Sequence, residues 1–358
     1  MELMQIKIFT RVFPIKNGSI RVYGNSLLTN LCEIQIHVQP QPLRVPELVE
    51  PYIPPVIPKI NSMFVAELSA RYGTRPVTLY DNAFNYTGFT NHTEEYYDVA
   101  EYHGELLVSD WFHGTIDIFD LNGKLKGFVV PADKWTEWSG HDYGNGAIWQ
   151  VAAGNGKIAL VNNFTTGGII PLVFSLPDFT FLYEIPLPAW ATSAGGLCIK
   201  GDYIYVGWNQ DIVGGYASIE RYLLSDGSYD ATPDDDPTLG VTIEALDANN
   251  LYLYATSPSA KRINVYSIVD GTLLAQFDTS LIIPGTAEPR GLAASDEDVL
   301  VSGFYYRNSC AGYPTYCPVD NVGIYRFDSD LNYIEVIGEH GYDLQQFHKP
   351  FGVELRRV

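Results

Sequence analysis

The chain has 358 residues, and its 42 Asp and Glu residues outnumber its 22 Lys and Arg residues, which gives a formal net charge of −20. Phosphate backbones and anionic lipid surfaces repel a chain with this excess of negative charge. Nucleic acid is therefore excluded as an expected partner. Because 46% of the residues are hydrophobic and 13% are aromatic, the chain can form a large core and is not disordered as a whole.

The first 60 residues differ in pattern from the rest of the chain. Amphipathic segments at residues 5–12, 19–23 and 32–38 predict three strands. A sheet of this size buries too little surface to be stable alone, so residues 1–38 are predicted to form a β module that docks on the rest of the chain or on another structural protein chain. Residues 39–60 contain seven prolines, which favour an extended linker and exclude a helix. This linker either holds the following domain away from the module or wraps over its surface.

Several features of the sequence are typical of extracellular surface proteins, although no leader peptide is visible. Cys310 and Cys317 flank a short turn-rich loop and are predicted to form a disulfide, with two free thiols as the alternative. Cys32 and Cys198 lie in apolar strand patterns and are expected to be buried. Four N-x-Ser/Thr sequons are candidate glycosylation sites, at Asn17, Asn85, Asn91 and Asn163.

Neither a secretory signal peptide nor an apolar stretch long enough to span a membrane is predicted. Three explanations stay open: a trimmed sequence, a cytosolic protein, or a protein assembled inside a cell into a particle that later meets the exterior. Virion proteins follow the third route. We expect an extracellular or virion-surface location without a cleavable signal peptide.

A pattern of strand, tight polar turn and second strand recurs six times between residues 76 and 337. The turns are rich in Asn, Asp, Gly and Pro, which are the residues typical of hairpin turns. The pattern predicts the outer hairpins of a repeated sheet. The six hairpins span residues 76–90, 114–131, 170–188, 217–230, 262–279 and 321–337.

A further strand pair precedes five of these hairpins, at residues 97–108, 149–161, 196–206, 242–254 and 291–301. Four strands per unit, repeating every 40 to 60 residues, indicate the blades of a β-propeller. Residues 350–355 are predicted to be the inner strand of a sixth blade whose other three strands come from residues 63–90. The fold class is therefore all-β, a six-bladed β-propeller at residues 61–358 with a split closing blade, and an array of β-sandwiches is the alternative.

Gly-Leu or Gly-Val opens the inner strands, and an Asn-Gly turn begins the segment GKLKGFVV. This sequence pattern of the blades resembles that of six-bladed propellers of the NHL and lactonase-like kind. The resemblance covers roughly residues 62–358 and is architectural, so no catalytic residue is carried over from it. Lactonase-like propellers hold a divalent metal at the axis. Among the predicted inner strands only Glu244 offers a carboxylate, which argues against such a site here.

Five of the six tryptophans map to one face of the predicted ring. Indole faces stack on sugars, and nearby amide and carboxylate groups bind sugar hydroxyls. We therefore predict a carbohydrate or other exposed ligand on this face, with the capping of seams between blades as the alternative role of the tryptophans. The predicted ligand-binding residues are Trp111, His113, Trp135, Trp138, Trp190, Trp208, Asn209 and Gln210. Further polar residues of this face are Asp110, Asp133, Glu137, His141, Asp142, Asn162, Asn163, Asp211, Glu288, Arg290, Tyr305 and Tyr306.

Signals for catalysis are weak. The sequence has no G-x-S-x-G, H-E-x-x-H or G-x-x-x-x-G-K motif. His113 and His141, near Asp110 and Asp142, form an acid–base or metal cluster only if their loops fold together. The run of aspartates at residues 234–236 is a weak candidate for Ca²⁺, because a solvated acidic loop explains it better. No cofactor is otherwise predicted.

The leading interpretation is a non-enzymatic surface protein with a propeller head for recognition of a glycan or receptor. Residues 1–60 anchor this head in a larger assembly, such as a virion spike, a turret or a surface layer. The alternative is a metal-dependent hydrolase of the lactonase or glycan-processing type, which requires a divalent cation near the ring axis.

Overall fold

The structure, a computed structural model, confirms an all-β fold in which six four-stranded sheets form a β-propeller. The chain divides into two units, Met1–Ile57 and Pro58–Val358, and every described residue belongs to the second. The predicted β module and linker, the Cys310–Cys317 pair, Cys32, Asn17 and Asn163 lie outside the described residues. The structure describes residues 61–67, 76–94, 96–139, 147–162, 169–210, 215–234, 240–282, 288–304, 323–338 and 350–356.

All six blades have antiparallel strands, and we number the blades from the one that closes the ring. Blade 1 contains β1 (Asn61–Glu67), β2 (Thr78–Asp81), β3 (Tyr86–Phe89) and β24 (Pro350–Leu355). Blade 2 contains β4 (Tyr96–Tyr102), β5 (Glu105–Asp110), β6 (Thr115–Asp120) and β7 (Leu125–Val129). Blade 3 contains β8 (Ile148–Gly154), β9 (Lys157–Asn162), β10 (Ile170–Ser175) and β11 (Phe181–Glu184).

The second half of the ring repeats the same order of strands. Blade 4 contains β12 (Ser193–Lys200), β13 (Tyr203–Asn209), β14 (Ser218–Leu223) and β15 (Tyr229–Asp234). Blade 5 contains β16 (Ala245–Ala248), β17 (Tyr252–Ser257), β18 (Arg262–Ser267) and β19 (Leu273–Asp278). Blade 6 contains β20 (Glu288–Ala294), β21 (Asp298–Phe304), β22 (Gly323–Asp328) and β23 (Tyr333–Ile337).

The ring closes as predicted, because β24 pairs with β1 as the inner strand of blade 1. The register aligns Met63 with Leu355 and Val65 with Val353. Strands from both ends of the propeller thus share one sheet, which removes the open edges that the first and last blades would otherwise expose.

Six buried apolar clusters hold the ring together, one at each seam between neighbouring blades. Their largest fully buried side chains include Trp208, Tyr96, Tyr254 and Phe119. The outer strands bury little in comparison, and four of the five residues of β23 are exposed. Burial of the apolar seams supplies the main stabilisation of the fold.

Glycine at the start of several inner strands is explained by close contact between backbones. A Cβ atom added to Gly352 would lie 2.5 Å from the Cα atom of Asp98 in blade 2. A Cβ atom at Gly196 would lie 2.8 Å from the backbone of Leu246 in blade 5. Inner strands of neighbouring blades therefore approach each other closely only because these positions lack a side chain.

The structure adds one α-helix to the predicted fold. Helix α1 (Pro131–Ser139) connects blades 2 and 3 and begins with proline, whose fixed φ suits the first helical position. Trp135 and Trp138 both lie in α1, so the connection between these blades is helical where the two tryptophans occur. A 3-10 helix spans Thr279–Leu281. Among the residues described, no helix has the length and apolarity needed to cross a bilayer.

Candidate functional site

A cavity of about 370 Å³ occupies the axis of the ring, where the six inner strands face each other. The residues that line it come from β4, β8, β12, β20 and β24 and from the segment 244–247 at the start of β16. Its polar lining includes Tyr97, Asp98, Gln150, Glu244 and Asp247. The axis of this propeller is thus a polar cavity and not an apolar core.

Four carboxylates of this cavity were missed in the sequence. The prediction that Glu244 alone contributes an axial carboxylate was wrong, because Asp98 and Glu101 of β4, Asp247 of β16 and Glu354 of β24 also line the cavity. The Oδ2 atom of Asp98 accepts a hydrogen bond from the Val151 amide at 3.1 Å. The Oδ2 atom of Asp247 accepts one from the Ala294 amide at 2.7 Å. Each aspartate thereby joins its inner strand to the inner strand of the next blade.

The two aspartates differ in their remaining contacts. Burial is the main reason that the pKa of Asp98 rises to about 7; the amides of Val151 and Val99 oppose this shift, and the carboxylates Asp247 and Glu244 add to it. The Oδ1 atom of Asp247 accepts from its own strand at the Ala248 amide, 2.8 Å away, and from the buried thiol of Cys198 at 3.8 Å. Cys198 is buried, as its strand pattern predicted.

At one end of the cavity, which we call the mouth, charged and aromatic side chains form a connected network. The Tyr97 hydroxyl donates to Oε1 of Glu244 at 2.8 Å, and Arg290 Nη1 donates to Oε2 of Glu244 at 3.0 Å. Arg290 Nη2 also donates to Oε2 of Glu288 at 2.6 Å. Gln150 Nε2 donates to the backbone carbonyl of Glu244. All these residues lie at or just before the starting ends of inner strands, so the mouth is on the face where the chain passes between blades.

Two tryptophans extend the mouth network. The ring of Trp149 packs edge-on against Tyr97 with centroids 5.6 Å apart, and Trp111 packs edge-on against Trp149 at 6.3 Å. Both indoles are half-buried. Their Nε1 atoms are buried and have no hydrogen-bond partner within the described part of the chain. Trp149 was the one tryptophan that the sequence left out of the ligand face.

The other tryptophans are distributed differently. Trp208 is fully buried in the seam between blades 3 and 4, where its Nε1 atom donates to the Tyr222 hydroxyl at 3.2 Å. It is a core residue, so its predicted contact with a ligand is corrected here. Trp190 packs half-buried on the same seam. The ligand contacts of Trp111, Trp190 and the two tryptophans of α1 stay predictions.

The predicted polar residues Asn209 and Gln210 hold loops of the protein itself. The Oδ1 atom of Asn209 accepts from the Ile243 amide at 2.7 Å, and Oε1 of Gln210 accepts from the Tyr216 amide at 3.0 Å. Asn209 thus holds the connection between blades 4 and 5, and Gln210 holds the loop between β13 and β14. Among the sequons, Asn85 and Asn91 are both exposed.

A second polar group, the blade 2 rim cluster, consists of His92, Glu94, Asp110, His113 and Asp117. The His113 Nδ1 atom lies 2.7 Å from Oδ2 of Asp110 and 3.5 Å from Oε2 of Glu94. The Asp110 hydrogen bond is the main cause of a raised pKa at His113, and burial raises the pKa of Asp117. The structure confirms the contact between Asp110 and His113, whereas His141 and Asp142 lie outside the described residues.

Comparisons with known proteins show the fold alone. No protein-family model and no curated protein matches the sequence. One similar solved structure is a nidogen/laminin complex, at 10% identity and a TM-score of 0.56, with 82% of this chain and 97% of that chain covered. Another is a protein of unknown function from Bacteroides caccae, at 9% identity and a TM-score of 0.53, with 83% of this chain and all of that chain covered. The NHL-like subtype stays a prediction.

The axial carboxylates do not fit a metal site of the lactonase kind. Asp98 is bonded to the backbone of blade 3, Asp247 to that of blade 6, and Glu244 is paired with Arg290. Only one group of His, Cys, Asp or Glu side chains in the described ranges brings three ligand atoms within 4.8 Å of one another, and it lies in the blade 2 rim cluster. The predicted Ca²⁺ site at residues 234–236 is not tested, because the side chain of Asp234 and the whole of residues 235 and 236 lie outside the described residues.

Proposed function

We propose that the propeller is a recognition domain that binds a carbohydrate at the mouth of the axial cavity. The observation that supports this proposal is the combination of Arg290, Glu244 and Glu288 with the half-buried rings of Tyr97, Trp149 and Trp111. A planar guanidinium between two carboxylates offers donors and acceptors at fixed spacing, which suits vicinal hydroxyls. Aromatic walls beside such groups are typical of small-ligand sites.

A binding function accounts for the mouth better than metal-dependent hydrolysis does. Metal hydrolysis needs ligands that converge on one cation and leave a coordination position open for water. The axial carboxylates instead accept hydrogen bonds from amides, a hydroxyl and a guanidinium of the protein itself. These contacts favour a rigid binding surface, which loses little entropy when a ligand docks.

The wider proposal is that this domain is the exposed head of a larger assembly, such as a virion spike or a surface layer. It rests on the sequence alone, through the acidic composition and the distinct pattern of residues 1–60. Light scattering of the full-length chain after size-exclusion chromatography tests it. Self-association that deletion of residues 1–57 abolishes is expected, and a monomer at high concentration would contradict the anchoring role.

A glycan array with the full-length chain tests the binding function. The Arg290→Gln variant removes the charge that links Glu244 and Glu288, so glycan binding should fall by roughly tenfold or more. Arg326→Gln is the matched control, because Arg326 also bridges two carboxylates, Asp298 and Glu335, but on the outer part of blade 6. The proposal fails if no glycan binds, or if both variants bind every bound glycan as the unmodified chain does.

A further inference from the structure

The blade 2 rim cluster brings metal-binding side chains together from two strands and two loops. Asp110 is the last residue of β5, and its Oδ1 atom accepts from the amides of Phe112 and His113 at 2.9 and 3.1 Å. These bonds fix the turn that carries His113 and leave Oδ2 directed at the imidazole. Glu94 reaches the same point from the connection between blades 1 and 2.

Two more side chains extend the cluster. His92 Nε2 lies 3.7 Å from Oε1 of Glu94, and His92 Nδ1 lies 3.4 Å from Oδ2 of Asp117. Asp117 is held by the hydroxyls of Tyr96 and Thr115 at 2.9 and 3.1 Å. The cluster therefore contains three carboxylates and two imidazoles, so it is not a purely acidic patch.

The electrostatics of this cluster favour a bound cation. Asp110 is 1% exposed and Asp117 is 4% exposed. Hydrogen-bond donors hold both carboxylates, but the negative charges still attract a cation, and the attraction is stronger in a buried site than in water. In the described ranges, their only ion-pair partners are the two histidines, and no Lys or Arg contacts them.

We propose that Glu94, Asp110 and His113 form a binding site for a divalent first-row transition cation, with Zn²⁺ as its probe. Ligand atoms around zinc at normal bond lengths are about 3.4 Å apart in tetrahedral geometry. The His113 distances of 2.7 and 3.5 Å already lie on either side of this value. Mixed imidazole and carboxylate donors suit zinc, whereas Ca²⁺ prefers a shell of oxygen atoms.

The cluster is also open on one side, as a binding site must be. The side chain of His113 is 51% exposed and that of Glu94 is 23% exposed, while Asp110 forms a buried floor. The turn between Asp110 and His113 carries Trp111, which packs against Trp149. Cation binding should therefore order the loop beside the mouth and change the tryptophan fluorescence.

Isothermal titration calorimetry of the chelator-treated, full-length chain tests this site with Zn²⁺ and Ca²⁺. One Zn²⁺ should bind per chain, and Ca²⁺ should bind more weakly. Glu94→Gln and His113→Gln should each lower the Zn²⁺ affinity by on the order of tenfold or more, since removal of supporting groups alone has effects of that size. Both positions are accessible, and circular dichroism confirms that the variants fold.

The matched control is His103→Asn, which removes a histidine from the turn at the other end of β4. Because His103 has a φ of 50°, asparagine is the substitution that tolerates its backbone. Its Zn²⁺ affinity should equal that of the unmodified chain. Failure to bind one Zn²⁺, or unchanged affinity in both cluster variants, would overturn the proposal. Equal affinities for Ca²⁺ and Zn²⁺ would overturn it as well, because the imidazole would then contribute nothing.

Discussion

The carboxyl of Asp98 should make the stability of the propeller depend on pH in an unusual direction. Its pKa rises from an ordinary 3.8 to about 7 in the folded protein, mainly because of burial. A group whose pKa is raised by folding holds its proton more tightly in the folded state. Its contribution to stability is therefore fully present below pH 4 and is lost as the pH rises through 7.

The Asp98→Asn variant isolates this effect. Asparagine keeps an oxygen that accepts from the Val151 amide, but it has no proton to lose. With the two pKa values above, the carboxyl loses roughly 2 to 3 kcal/mol of stabilisation between pH 5 and pH 8. The free energy of unfolding of the variant, relative to that of the unmodified chain, should increase by about this amount over the same interval.

Urea unfolding followed by tryptophan fluorescence at pH 5, 6, 7 and 8 measures the difference. Asp328→Asn is a useful control, because hydrogen bonds from Asn332 lower the pKa of this half-buried aspartate. Asp328 is ionised in both the folded and the unfolded state above pH 5. Its substitution should therefore change the free energy of unfolding by the same amount at every pH tested. The reasoning about Asp98 is refuted if its variant also shows a constant difference from pH 5 to pH 8.

Two further substitutions test the packing of the ring, each measured as the free energy of unfolding in urea. Trp208→Ala should lower the free energy of unfolding by about 3 to 5 kcal/mol, because the indole is fully buried. Leu251 is exposed, so Leu251→Ala should lower it little. Equal losses in the two variants would show that Trp208 is not a core residue. Gly352→Ala should cost about 1 to 3 kcal/mol because its Cβ atom would meet the backbone of Asp98. Gly127→Ala is its control, since a Cβ atom there meets nothing within 4 Å, and equal stabilities of the two alanine variants would contradict the close approach of inner strands.

The architecture was predictable because its signals are local and repeated. Each outer hairpin has strand alternation on both sides of a turn, and all six predicted hairpins are present. Even the split blade could be predicted, since Gly352 and Val353 repeat the opening of other inner strands. In the turns near Phe84, Phe179 and Leu331, however, the positive φ falls on a bulky residue. The identity of the turn residues therefore predicts the position of a hairpin better than its backbone conformation.

The axial site was less predictable because its chemistry depends on which blades are neighbours. Asp98 lies within the predicted strand pair at residues 97–108, but the local sequence does not show that its side chain faces the axis. A β-bulge between Tyr96 and Asp98 shifts the alternation at that point. The partner of Asp98 is 53 residues away, at the Val151 amide. No local pattern identifies such a contact.

The tryptophans show a related limit of prediction from sequence. A tryptophan at the end of a strand has the same sequence pattern whether it caps a seam or faces solvent. Trp208 lies fully in a seam, whereas Trp149, at the start of β8, reaches the mouth. The difference is set by the volume between adjacent blades, which is known only once both blades are placed.

The net charge of −20 has a partly structural origin in the repeats themselves. An aspartate accepts backbone amides in five of the six outer hairpin turns, namely Asp81, Asp120, Asp226, Asp270 and Asp328. Hydrogen bonds to the charged form lower the pKa of Asp226, Asp270 and Asp328. Each repeat of the blade therefore tends to add one stabilised negative charge, and no matching lysine or arginine is needed. Part of the acidity therefore follows from turn chemistry, so the charge alone is weak evidence about the ligand. The few cations, such as Arg290 at the mouth, are the more informative residues.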